Sequence, residues 1–162
     1  MMADLQRILE FVERAGLEVR REVIAGETFL PGLRISGGVL VVDEARLLYP
    51  GDMLHEAGHL AVMTPEERAG CDGDVGADGG MEMAAIAWSY AAALEIGLAP
   101  EVVFHGEGYK SGGNAIVENF AAGRYVGVPL LQWFGMTNDP QGAVVFPRMA
   151  VWVRGQEAGS RK

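Results

Sequence analysis

The apolar positions near the start of the chain recur with the spacing of an α-helix. Leu5, Ile8, Leu9 and Val12 are separated by three, one and three positions, which places them on one face of a helix. Gly16 follows the segment, and glycine is common just past a helix end. We therefore predict an amphipathic first helix that ends near Gly16.

The pattern then changes to shorter periods, which predict strands. Residues 19–24 alternate loosely between apolar and polar side chains, and the apolar Leu33 and Ile35 precede the turn sequence 36–38. Residues 39–42 after that turn are apolar throughout, which is typical of a strand covered on both faces. We expect a strand followed by a hairpin.

Two helices with many apolar residues are predicted in the middle of the chain. Asp52 is a suitable N-cap for a helix over 53–63, and the Thr64-Pro65 pair would end that helix. Residues 81–96 predict a second, more strongly apolar helix with Gly97 at its end.

The remaining elements are shorter. They are a capped helix after Thr64, a short strand at 101–104 that enters a loop, helices at 113–123 and 128–136, and a strand pair or bent strand at 143–154. This order of helices and strands predicts an α+β fold in one domain, residues 1–162, with a small mixed or antiparallel sheet.

Composition narrows the class of protein. The chain has 162 residues, 49% of them hydrophobic, and a formal net charge of −9. Such an acidic chain would repel a phosphate backbone, so we expect no nucleic-acid partner. The single Cys71 allows no intrachain disulfide, and the longest weakly polar run, 83–94, is too short to span a membrane. We expect a cytoplasmic protein with no membrane partner.

The main candidates for metal-binding and catalytic side chains lie in the sequence His-Glu-Ala-Gly-His, residues 55–59. On a helix, His55 and His59 lie one turn apart on the same face, where both imidazoles can reach one Zn²⁺ ion. Glu56 is rotated about 100° from His55 around the helix axis. It can therefore lie beside the metal without binding it, which is the place of a general base.

This motif resembles the active-site helix of the zincin metallopeptidases. The resemblance implies that His55 and His59 are zinc ligands, that Glu56 is the general base, and that the domain is zincin-like. The motif does not resemble that of the metzincin branch, since Val62 and Pro65 stand where that branch has glycine and histidine. The gluzincin arrangement, in which a glutamate on a later helix is the third ligand, would be met by Glu82.

The sequence alone does not decide which residue would be the third metal ligand. Glu82 lies in the first turn of the second predicted helix, on a face shared with residues 86, 89 and 93, which we predict to be mostly buried. A buried carboxylate is costly unless it is neutralised, and a metal ion would do so. The alternative ligands are Asp74, Asp78, Glu95, His105 and Glu107.

Other side chains have predicted roles as well. His105 and Tyr109, in a glycine-rich segment, are the candidates for stabilising an oxyanion. Gly58 is unusual inside a helix and predicts the close approach of a neighbouring element. The tryptophans are predicted to be core residues, and Cys71 has no predicted role.

The sequence thus predicts a zinc-dependent metallopeptidase or related metallohydrolase acting on a peptide or protein substrate. Residues 39–42 would border the cleft and pair with an extended substrate, by similarity to zincin-like folds. The alternative is a non-catalytic zincin-like module that binds metal or a protein partner. Glu56 favours the enzyme, because a purely structural metal site has no need of a general base.

Overall fold

The computed structural model describes residues 2–28, 30–73, 78–105, 113–138 and 142–156. Within these ranges the chain is α+β, as predicted, with seven helices and three strands. In chain order they are α1 (Met2–Ala15), β1 (Val19–Arg21), β2 (Leu33–Ser36), β3 (Val39–Val42), α2 (Gly51–Val62), α3 (Pro65–Ala69), α4 (Gly79–Ile96), α5 (Pro100–Val103), α6 (Gly113–Ala121) and α7 (Val128–Trp133).

The three strands form one small mixed sheet. The order is β1-β3-β2, with β1 parallel and β2 antiparallel to β3. Leu40, Val41 and Val42 of the central strand are fully buried, which confirms the prediction of a strand covered on both faces. The turn between β2 and β3 has positive φ at Gly37 and Gly38, a conformation that glycine adopts without strain.

The predicted pairing of β3 with a substrate is wrong. Both hydrogen-bonding edges of β3 are already occupied, one by β1 and the other by β2. A central strand has no unpaired edge left for an incoming peptide.

The core is centred on the pair formed by α2 and α4. Eleven of the twelve residues of α2 are buried, and α4 contributes buried residues between Ala84 and Ala93, most of them alanines. The helix α1 covers this pair with Phe11, whose ring packs edge-on against Trp152. The indole of Trp88 on α4 donates a hydrogen bond to the Trp152 carbonyl at 2.8 Å.

One tryptophan departs from its predicted place in the core. The Trp133 side chain at the end of α7 is 84% exposed, although Trp88 and Trp152 are buried as predicted. The helix α7 has only six residues, and its apolar contacts to the core are made by Val128 and Leu131 instead.

Two strand predictions are also wrong. Residues 101–104 lie largely in the helix α5, which Pro100 begins at a first-turn position. Residues 143–154 form turns and a single isolated bridge between Asn138 and Val145. The backbone of this last segment instead bonds to helix neighbours, for example from Arg154 N to Ala61 O at 2.8 Å.

The C-terminal end of α2 is held by two arginines. Arg68 donates from Nε to Leu60 O at 2.8 Å and from Nη2 to Met63 O at 2.7 Å. Arg154 donates from Nη1 to Val62 O at 3.1 Å. These guanidinium groups satisfy carbonyls that have no partner inside the helix, and their charge suits the negative end of the helix dipole.

The short helix α3 begins with the predicted capping box. Thr64 Oγ1 accepts a hydrogen bond from Glu67 N, and Glu67 Oε1 accepts one from Thr64 N. This box ends α2 and turns the chain so that Arg68 lies against the last turn of α2. None of the helices in the described part of the chain has the length and apolar composition needed to cross a membrane.

We predict that Arg68→Met lowers the free energy of unfolding by about 2 kcal/mol, because several charge-assisted hydrogen bonds to α2 are lost while the apolar stem is kept. The measurement is urea unfolding followed by circular dichroism. Arg148→Met, at an exposed position, is the control and should change stability by less than about 0.5 kcal/mol. Equal effects of the two substitutions would contradict this role of Arg68.

Candidate metal centre

The two histidines of α2 lie one turn apart and face the same space. The imidazole centroids of His55 and His59 are 4.9 Å apart, with the ring planes nearly perpendicular. Both rings are mostly buried. The helix alone accounts for this arrangement, since residues four apart share a face.

Glu82 on α4 completes the group. Its Oε1 atom lies 2.6 Å from His59 Nε2 and 3.6 Å from His55 Nε2. The first turn of α4 is fixed by Asp78, whose Oδ1 accepts a hydrogen bond from Met81 N at 2.9 Å. The structure therefore brings the carboxylate of one helix to the two imidazoles of the other.

These three side chains can hold a metal ion. Their potential ligand atoms all lie within 4.8 Å of one another, whereas ligand atoms around a tetrahedral zinc ion are about 3.4 Å apart. Small side-chain rotations would reach that spacing. Two imidazoles and a carboxylate are also a common donor set for Zn²⁺.

The alternative third ligands are not brought to this point. Asp78 caps α4, Glu95 is exposed near the other end of α4, and His105 lies on Asp52. Asp74 and Glu107 lie outside the described residues. Among the residues that the structure describes, His55, His59 and Glu82 are the one such group of three.

The face of α4 that carries Glu82 is only partly buried. Ser89 is buried and Ala93 is buried, as predicted, but the Glu82 side chain is 42% exposed. The site therefore has mostly buried walls formed by the two histidines and a solvent-exposed side at the glutamate. Such an opening would give a water molecule or a substrate access to an ion.

The surroundings of His55 and Glu82 favour the deprotonated forms of both side chains, which are the forms that can bind a metal ion. Burial lowers the pKa of His55 to about 4, against the opposing attraction of Glu82. The hydrogen bond with His59 lowers the pKa of Glu82 from its ordinary value, although partial burial acts in the other direction. At neutral pH His55 is therefore neutral and Glu82 is ionised, which are the forms that bind metals.

Gly58 sets the distance between the two helices, as predicted. A Cβ atom at this position would lie 2.9 Å from Ala85 O and 3.1 Å from Ser89 Oγ. The hydroxyl of Ser89 donates to Ala85 O at 2.7 Å, so it is already committed at this contact. Only glycine permits so close an approach, and this approach brings Glu82 to the histidines.

Glu56 is buried beside the histidines and opens onto a different cavity. It is 8% exposed and lines a cavity of about 280 Å³ together with Leu33 and Arg34 of β2. His59 lines a neighbouring cavity of about 300 Å³, with Met63 and Met81. The segment 71–73 borders both, with Cys71 in the wall of the second and Gly73 in the wall of the first.

His105 is brought to the N-terminal end of α2. Its Nε2 atom lies 2.7 Å from Asp52 Oδ1, and its ring stacks on Tyr49 with centroids 4.2 Å apart. Tyr109, the other predicted oxyanion residue, lies outside the described residues.

Asp52 is the residue whose role the sequence analysis missed. The helix α2 begins at Gly51 with Pro50 in the cap position, so Asp52 lies inside the first turn rather than at the N-cap. Its carboxylate is buried and pairs with His105. The available signal was its spacing, since position 52 precedes His55 by three residues and His59 by seven and so shares their face.

Comparison with protein-family models, with curated proteins and with solved structures gave no match for this chain.

We predict that Glu82→Gln weakens Zn²⁺ binding by about ten-fold or more, since an amide is a poorer ligand than a carboxylate. Isothermal titration of metal-free protein with Zn²⁺ measures the change. Glu95→Gln alters an exposed glutamate on the same helix and should leave the affinity unchanged. If both variants bind as the parent does, Glu82 is not a ligand.

A second prediction concerns Gly58. Gly58→Ala should destabilise the protein and weaken metal binding, because the added methyl group must separate α2 from α4. In an isolated helix the same change would stabilise by about 1 kcal/mol. Gly79→Ala is the matched control, as a Cβ there meets nothing within 4 Å. Thermal unfolding and Zn²⁺ titration of both variants test this, and a stabilised Gly58→Ala protein would contradict it.

Proposed function

We propose that this protein is a zinc-dependent hydrolase that cleaves a peptide or amide bond, with a fold of zincin-like type. The observation that carries the proposal is the convergence of His55, His59 and Glu82 within 4.8 Å, with the buried Glu56 next to His55 on the same helix. The zincin resemblance lies in the motif and in the position of Glu82 on a second helix.

Zinc is the proposed ion because of the donor set. Imidazole nitrogens with one carboxylate and an opening to solvent are typical of catalytic rather than structural zinc sites. When bound, Zn²⁺ would supply a Lewis acid and lower the pKa of a water molecule. The opening at the half-exposed Glu82 supports access for that water.

Glu56 is the proposed general base. It would accept a proton from the attacking water and later donate it to the leaving amine. Its buried position directly after His55 on α2 supports this role. His105, held near the start of α2, would donate a hydrogen bond to the oxyanion. The role of Tyr109 stays a prediction.

The substrate would extend between the cavity lined by His59 and the cavity beside Glu56, where β2 forms one wall. Addition of the substrate as a further strand is disfavoured, because two outward-facing backbone groups of β2 already have partners. Ile35 O accepts from Gly73 N at 2.7 Å, and Leu33 N donates to Leu30 O at 3.2 Å. Recognition would therefore depend on side chains of the wall, among them Arg34.

The non-catalytic alternative differs in what it requires of Glu56. A module that used the metal for structure or partner binding would not need a buried carboxylate next to a ligand, and it would close the metal with a fourth side chain. In the described part of the chain the group contains three candidate ligands. Both features favour the hydrolase.

We predict that Glu56→Gln keeps the fold and the Zn²⁺ affinity but lowers kcat by about 100-fold or more, because the amide cannot accept the proton. The measurement is cleavage of a peptide-substrate library by zinc-loaded protein, with chelator-treated protein as the blank. Glu13→Gln, an exposed change on α1, should cleave as the parent does. A Glu56→Gln protein with undiminished hydrolysis would refute the mechanism.

A further inference from the structure

We propose that Arg34 binds a carboxylate of the substrate and so selects peptides that carry a negative charge close to the cleaved bond. This inference rests on the proposed hydrolytic function and names the class of substrate. The carboxylate would come from the C-terminus of the peptide or from an aspartate or glutamate side chain.

The first observation is the position of the Arg34 side chain. In β2 the side chains of Leu33 and Ile35 are buried, and the side chain of Arg34 between them is exposed. Arg34 lines the same cavity as Glu56, the proposed general base. Among the described residues in the wall of this cavity, Arg34 carries the one positive charge.

The second observation is that Arg34 forms no hydrogen bond or ion pair with any residue that the structure describes. A shortage of carboxylates is not the reason, since the chain has 22 acidic and 13 basic side chains. The N–H donors of its guanidinium group are therefore available to a ligand. Other arginines are committed to carboxylates or carbonyls, namely Arg7, Arg20, Arg21, Arg46, Arg68 and Arg154.

The backbone that carries Arg34 is held on both sides. Arg34 is paired in register with the fully buried Val41 of β3. On the other side of β2, Ile35 O accepts a hydrogen bond from Gly73 N at 2.7 Å. A side chain on a strand fixed in this way is placed more precisely than one on a loop.

The size of the cavity limits where the carboxylate can be. The cavity has a volume of about 280 Å³, at the lower end of the range for small-molecule sites. It accommodates a short piece of peptide and no more. Because Glu56 lines the same cavity, a carboxylate on Arg34 would lie close in sequence to the bond that is cleaved.

The chemistry of the wall favours a carboxylate over other anions. A guanidinium group matches the planar carboxylate with two parallel N–H···O bonds. It also binds phosphate, but Glu27 and Glu56 line this cavity as well. Their negative charges repel a doubly charged phosphate more strongly than a singly charged carboxylate.

A protective role for Arg34 would account for a charge on an edge strand, because such charges prevent pairing with other chains. That role is served by a charge of either sign, and it has no effect on the choice of substrate. Reversal of the charge at position 34 therefore separates the two roles.

The test compares zinc-loaded parent, Arg34→Gln and Arg34→Glu. The probes are an N-acetylated alanine peptide as free acid and as amide, and the amide with glutamate, glutamine or lysine at each inner position in turn. In the parent we expect KM to be about ten-fold lower for the carboxylate member of a pair. Arg34→Gln should remove this preference with kcat nearly unchanged, since only binding is lost. Arg34→Glu should prefer the lysine peptides.

The pair that shows the preference identifies the source of the carboxylate. A difference between free acid and amide assigns it to the C-terminus, and a difference between glutamate and glutamine assigns it to a side chain. A parent that cleaves these peptides without either difference would overturn the inference. An Arg34→Gln protein that keeps the preference of the parent would overturn it as well.

Arg148→Glu is the matched control. Arg148 is also exposed and is absent from the wall of the cavity, so this variant changes the net charge by the same amount as Arg34→Glu. It should keep the substrate preference of the parent. An equal change of preference in both variants would show an effect of net charge alone and would refute the role of Arg34.

Binding to metal-free parent gives a readout independent of hydrolysis. Isothermal titration should show tighter binding of the preferred carboxylate peptide than of its neutral partner, and the Nε–H NMR signal of Arg34 should shift with that peptide alone. A parent that shows this binding but cleaves no peptide would refute the proposed hydrolase and leave the carboxylate site in place. Equal binding of both members of each pair would refute the carboxylate site.

Discussion

The close approach of α2 and α4 at Gly58 is the contact on which the site depends. The two helices carry the three potential ligands, two on one and one on the other, so their separation sets the distances between the ligand atoms. At Gly58 there is no room for even a methyl group against the backbone of Ala85. A helix glycine weakens the isolated helix, and here tertiary packing compensates for that loss.

The helix α2 is buried and also carries several ionisable side chains, a combination that is uncommon because burial disfavours charge. It is almost wholly buried, yet it carries Asp52, His55, Glu56 and His59. Three of these groups are accommodated in different ways: Asp52 pairs with His105, His59 pairs with Glu82, and burial keeps His55 neutral. The arginines at the other end hold the last carbonyls of the helix. A rigid, anchored helix of this kind is suited to hold ligands at fixed distances.

The predictions of helices and strands were correct where the local sequence pattern was strong. The helices α1 and α4, the hairpin and the capping box of α3 follow from periodicity, glycine turns and caps, all of which act within a few residues. The failures at 101–104 and 143–154 share a cause. Both segments are rich in β-branched residues, but Pro100 favours a helix start in one, and the backbone of the other bonds to Met136 and Ala61 rather than to a strand.

The sequence by itself determined the potential metal-binding pair, since the spacing of His55 and His59 on any helix places both imidazoles on one face. It also narrowed the third ligand to a few acids and one histidine. Only the tertiary structure brought Glu82, alone among the described candidates, to the two histidines, enclosed β3 between β1 and β2, and joined Asp52 to His105. The contacts of Glu82 with His59 and of His105 with Asp52 join residues 23 and 53 positions apart. Such contacts are set by how whole helices pack, and no local pattern of residues encodes that packing.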